Sequence, residues 1–173
     1  MEEIFEILKY TLPSLIIFFT VFIMMQYYFK SEERKRRFEI TIASQKTILP
    51  VRLQAYERIA LFLERISPES MIMRLVLAEM TAKQLQTELL ATIRAEFEHN
   101  LSQQVYISSE AWEKVKNARV NTVSLINAAA EQIEPKASAL TLSKKILDMM
   151  MEHKSVLTAH ALDQIKKEVQ ELF

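Results

Sequence analysis

YTLPSLIIFFTVFIMMQYYF, Tyr10–Phe29, is twenty residues without a charged side chain. At 1.5 Å per residue such a run makes a helix of about 30 Å, the thickness of a hydrocarbon core. Thr11, Ser14, Thr20 and Gln26 are its polar residues besides the tyrosines. Ser and Thr can return their hydroxyls to the helix backbone. Pro13 falls in the first turn, where a missing N–H breaks no helix bond. Tyr10 at one end and Tyr27 with Tyr28 at the other suit an apolar layer with wet edges. A signal peptide would start basic and end at a small-residue cleavage site, whereas this chain starts MEEIFEILK. A core helix would carry a polar side, and this run is apolar all round. The expectation is therefore a single transmembrane helix over residues 10–29.

The flanks give the expected direction. Glu2, Glu3 and Glu6 precede the run; Lys30, Arg34, Lys35, Arg36 and Arg37 follow it. Basic residues stay in the cytoplasm, which predicts a short extracytoplasmic N-terminus over 1–9 and a basic juxtamembrane stalk over 30–50. The remaining 51–173 would be a cytoplasmic helical domain, held at a bacterial inner membrane. The cluster Lys30, Arg34, Lys35, Arg36 and Arg37 would lie on anionic headgroups, and membrane lipid would be the partner of residues 10–29. A basic block in that place is poorly set to grip a duplex, so no nucleic acid is expected.

Composition narrows the rest. The 173 residues contain no Gly, no Cys and four Pro. Average usage would supply about twelve Gly. Sheet folds use Gly at tight turns and bulges, so its absence predicts an all-α chain with Ser, Thr and Asn at the connections. It also excludes P-loop and GxGxxG phosphate cradles. Without Cys there is no disulfide, thiolate metal site or cysteine nucleophile. Basic and acidic residues balance at 22 each, so bulk charge points to no polyanionic partner.

Along the chain the periodicity predicts about five helices after the membrane run. Ile42, Leu49, Tyr56 and Leu63 recur every seven residues, with Leu53 and Ala60 between them, making a short seam over 49–63. Ile59, Phe62 and Ile66 widen it into a core-facing stripe, with self-association as the alternative. Pro50 should kink this helix or start a new one near Thr47. Ser67-Pro68-Glu69 reads as N-cap, first helical position and first-turn acid. Thr81 and Gln84 make a capping box. His99 and Asn100 should end the following helix, with Asn100 as a left-handed cap. Gln103–Ile107 alternates like a strand with nothing to pair with, so an extended connector is expected, with Val105 and Ile107 packed down. Ser108 or Ser109 should cap a helix whose inner side is Trp112, Val115, Ala118, Thr122, Ile126, Ala129 and Ile133. Pro135 would end it, and helices over about 142–153 and 158–172 would close the chain.

Chemistry-bearing patterns are sparse. Glu96 and His99 stand in E-x-x-H spacing, but di-iron bundles need a second copy, and none precedes His153 or His160. No HExxH and no nucleophile elbow is present. The reading is a non-enzyme with no cofactor, no metal and no small-molecule substrate. A metal-dependent enzyme built on Glu96 and His99 is the remote alternative.

RLQAYERIALFLERISPE (Arg52–Glu69), IRAEFEHNLSQQVYIS (Ile93–Ser108) and the closing KKEVQELF (Lys166–Phe173) resemble an uncharacterised family of small single-pass, helix-rich membrane proteins of Gram-negative bacteria. The resemblance implies an N-terminal anchor and a helical cytoplasmic region, and carries no activity, cofactor or named partner. It marks Glu96, His99, Asn100, Gln103, Gln104 and Tyr106 in EFEHNLSQQVY as the first residues to mutate. Tyr106 and Trp112 flank the connector; a buried pair is the first expectation, and a partner-facing aromatic patch that adds Trp112 to the expected partner-binding surface is the alternative. The expected function is a membrane-tethered adaptor or scaffold that binds another protein, with a homo-oligomeric scaffold on the 49–63 seam as the alternative.

Overall fold

A computed structural model describes residues 2–152 and 158–172, without the side chains of 2–9, 11–14, 41, 44 and 152. The expected helix end at His153 lies outside the described residues, as does Phe173. The described chain is predominantly helical. Its elements are α1 (Glu2–Arg65), α2 (Pro68–Leu75), α3 (Ala82–Asn100), a 3-10 helix (Leu101–Val105), α4 (Ser109–Glu131), α5 (Ala139–Glu152) and α6 (Ala159–Gln170). Extended pairing among the described residues is limited to one bridge between Thr81 and Ser138.

The all-helical expectation holds, and the membrane span does not. Among the described residues, no helix is long and apolar enough to cross a membrane. The expected single-pass placement in an inner membrane, N-terminus outside, loses its basis with the span. α1 runs through positions 10, 30 and 51 without a break. Lys30, Arg34, Lys35, Arg36 and Arg37 are exposed along it.

Pro50 also fails to break the helix. A proline there removes the N–H that would bond the Lys46 carbonyl, a cost of about 3 kcal/mol in a helix interior. Just after it, Ala55, Tyr56, Ile59, Phe62, Leu63 and Ile66 are all buried. Burying one large aliphatic or aromatic side chain contributes about 1.5–3 kcal/mol, so the six together outweigh the lost bond. Tertiary contacts do divide the chain at this point, into Met1–Leu49 and Pro50–Phe173. Within the first unit every large apolar side chain from Leu15 to Phe29 is 50% or more exposed.

The second unit has one core. α3 packs against α2, α4 and α5, α4 also against α5 and α6, and α2 against α5. Leu85, Leu89 and Ile93 of α3 are at most 1% exposed, at the steps of four that keep one helix face inward. Met71, Val115, Ile126, Leu142 and Ile146 complete the centre. The seam residues Tyr56 and Leu63 are spent in this core, at 2% and 0% exposure.

Helix starts follow local chemistry. Ser67 accepts from the Ser70 N–H and Pro68 opens α2. Thr81 and Gln84 form the reciprocal capping box of α3, and Ser108 accepts from the Ala111 N–H at the start of α4. The Ala82 N–H donates to the Ala137 carbonyl and the Ala139 N–H to the Met80 carbonyl, both at 2.8 Å, which ties the start of α3 to that of α5. The buried polar residues Asn100, Thr122 and Ser143 each bond the backbone of their own helix, and no buried side-chain N or O among the described residues is left unpaired.

Candidate functional site

The corner between α3 and α4 departs from expectation. Asn100 is not left-handed; its φ is −103° and ψ 4°. Its amide donates back to the Glu96 carbonyl at 2.8 Å, and the chain tightens into the 3-10 helix. The expected extended connector is therefore a turn. A lone extended segment leaves its backbone groups without partners, whereas a 3-10 helix bonds them to residues three away. The Tyr106 N–H, for example, donates to the Gln103 carbonyl at 3.0 Å. Val105 and Ile107 part company: Ile107 is buried, and Val105 points out at 77% exposure.

The seven expected surface residues fall into two groups. His99 and Gln104 are exposed, Tyr106 is 40% exposed and Gln103 half-buried. Glu96, Asn100 and Trp112 face inward. Glu96 accepts from the Arg65 Nε at 3.2 Å, joining α3 to the end of α1. Trp112 is buried and stacks on Phe97, with ring centroids 5.5 Å apart. Phe97 also meets Phe62, and Arg119 lies 4.3 Å from its ring centre, a cation–π contact. The outward side of the corner thus carries Leu101, Gln104, Val105 and Tyr106, with His99 one residue before the turn. Among the described residues no three His, Asp or Glu converge as metal ligands would. An open groove of about 450 Å³, lined by Leu77, Met80, Lys83, Thr87 and Glu88, involves none of the seven.

Behind the corner lies a polar knot that sequence reasoning missed. The Glu168 carboxylate of α6 accepts from the Tyr56 hydroxyl at 3.0 Å, from the Ser108 N–H at 3.4 Å and from the Ser108 hydroxyl. Gln164 Nε2 donates to it at 3.3 Å. Arg52 donates to the Tyr56 hydroxyl at 3.1 Å and, through Nε, to the Tyr106 carbonyl at 3.2 Å. Burial alone would raise the Glu168 pKa; hydrogen bonds from Ser108, Gln164 and Tyr56 outweigh that and hold it below the usual carboxylate range. Tyr56 is pushed above its ordinary 10.0, by burial first and then by its bond to Glu168, against the opposing pull of Arg52.

Tyr56 and Glu168 are 112 positions apart, so no local pattern links them. Their one signal in the sequence was membership of the segments that carry the resemblance. Arg52 and Tyr56 lie in Arg52–Glu69, Ser108 closes Ile93–Ser108, and Glu168 lies in Lys166–Phe173. All three segments meet in this knot. The model of a family of unknown function, DUF7935, matches residues 2–172. The chain belongs to that family. No curated protein and no solved structure matches it. In this DUF7935 chain the knot is a brace: it fixes the backbone of Tyr106 and the first turn of α4, and leaves Leu101, Val105 and Tyr106 facing outward.

Proposed function

We propose that this chain is a helical protein-interaction module, an adaptor or scaffold, that works by docking and not by catalysis. The observation that carries the reading is the braced corner. Leu101, Val105 and Tyr106 are 43%, 77% and 40% exposed on a turn whose backbone is held from behind by Arg52 and whose exit is held by Glu168. A partner meeting a rigid turn loses little ordering entropy on that side of the interface, and Tyr is a favoured anchor. His99, Gln103 and Gln104 supply polar groups around the apolar tip. Recovery from cell extracts with full-length Val105→Glu or Tyr106→Ala as bait tests this. A partner bound by the parent chain should fall at least tenfold with either variant, and equal recovery with both removes this corner as the docking surface.

A second reading, self-association, is favoured by a separate observation. Leu15–Phe29 exposes a continuous apolar run far larger than the few hundred Å² a monomer ordinarily leaves uncovered. A second copy of α1 laid against it would cover part of that surface. Light scattering of the full-length chain should give a discrete multiple of 20.2 kDa that falls on Phe18→Glu with Phe22→Glu. A monomer at high concentration overturns this reading and leaves the first untouched.

A further inference from the structure

α6 is held to the rest of its unit through few buried residues. Its fully buried residues are Ala161 and Ile165, with Leu162, Val169 and Leu172 partly covered. α3, by comparison, buries Leu85, Leu89 and Ile93 and packs on three helices. The start of α6 is weak as well: Thr158 makes no side-chain cap bond, and the first turn holds His160 and no acid. Asp163, Lys166 and Lys167 face solvent. Its described polar links to other helices pass through two side chains. Gln164 accepts from Lys114 Nζ at 2.7 Å, and Glu168 takes the Tyr56 and Ser108 donors. A carboxylate that collects charge-assisted bonds while half-buried is a strong, single-point fastening.

We propose that α6 is a detachable strap, keyed by Glu168 into a carboxylate-receiving cleft formed by Tyr56 of α1 and the Ser108 cap of α4. With the strap lifted, the Tyr56 hydroxyl, the Ser108 N–H and hydroxyl and the Arg52 guanidinium face an empty cleft beside the apolar side of α4. That cleft suits an amphipathic helix with an acid three places after an isoleucine, the pattern of α6 itself at Ile165 and Glu168. The Ser108 N–H, at the N-cap of α4, donates to Glu168 and not within its own helix, and the Tyr106 carbonyl is held by the same Arg52 that bonds Tyr56, so lifting α6 also loosens the brace behind the corner. This goes beyond the docking reading, with which it shares the bonds of Arg52 and Glu168.

Hydrogen exchange of the full-length chain, resolved by segment, tests the strap. In the parent chain the amides of 162–170 should exchange at least tenfold faster than those of 85–93. Glu168→Ala should speed 162–170 a further tenfold or more and leave 85–93 within threefold. Tyr56→Phe, which removes one donor and keeps the ring, should give a smaller acceleration in the same segment. A labelled peptide of residues 158–172 should bind full-length Glu168→Ala at least tenfold more tightly than the parent chain, whose own strap competes. Exchange of 162–170 and 85–93 at one rate in all three proteins would overturn the proposal, as would a peptide that binds neither chain. Either failure leaves the Val105→Glu result as it stands.

Discussion

Glu168 shows how much a single side chain does here. It is half-buried, joins α6 to α1 and α4, and owes its lowered pKa to donors on both. A carboxylate with a depressed folded pKa contributes stability that is present above its unfolded value and is lost as pH falls through the folded one. Tyr56 works at the other end of the scale. Its raised pKa contributes stability that is present below about pH 10 and lost as pH climbs through the folded value. Denaturant midpoints should therefore fall as pH drops from about 6 to about 3, and Glu168→Gln should flatten part of that slope. An identical slope in parent and variant would show that the carboxylate is not coupled to folding. No pattern in the sequence distinguished Glu168 from Glu171, an exposed carboxylate three residues away, because the difference lies in what the fold places opposite each.

Among the elements, the clearest local signals sit at helix starts. Ser67-Pro68-Glu69, Thr81 with Gln84, and Ser108 all act as caps where their sequence placed them, because a cap is made within three or four residues. Thr81→Ala should cost about 1 kcal/mol of unfolding free energy, read from urea melts, since it removes one side of the capping box of α3. Pro50 is the opposite case. Local chemistry asks for a kink or a new start, and α1 is unbroken through the site, with burial following it. Pro50→Ala restores an N–H for the Lys46 carbonyl and should slow amide exchange at 46–54 by an amount equivalent to as much as about 3 kcal/mol. No slowing would mean that the helix had already repaired the gap. The 3-10 helix was illegible for a related reason. Five alternating residues suit an extended segment or a turn equally well, and the choice fell to whichever paired their backbone groups.

For the whole molecule, stability rests on the core of Pro50–Phe173. Leu89→Ala, at a site with no exposure, should cost about 2–5 kcal/mol. Val120→Ala, at 57% exposure on the outer face of α4, should stay within about 0.5 kcal/mol. Chemical denaturation of the two variants checks the contrast, and equal losses would mean the core is misassigned. The sequence by itself determined the helical class, the caps and the inward stripes of α3 and α4, because propensity, capping and periodicity act over a few residues. Tertiary structure decided the unbroken course of α1 through Pro50, the division of the expected surface into Glu96, Asn100 and Trp112 inside and His99, Gln104 and Tyr106 outside, and the knot at Glu168. It also set the run after Tyr10 in a 64-residue helix, and among the described residues no helix is long and apolar enough to cross a membrane. Each of these depends on groups far apart in the chain, whose meeting is a property of packing and not of any one segment.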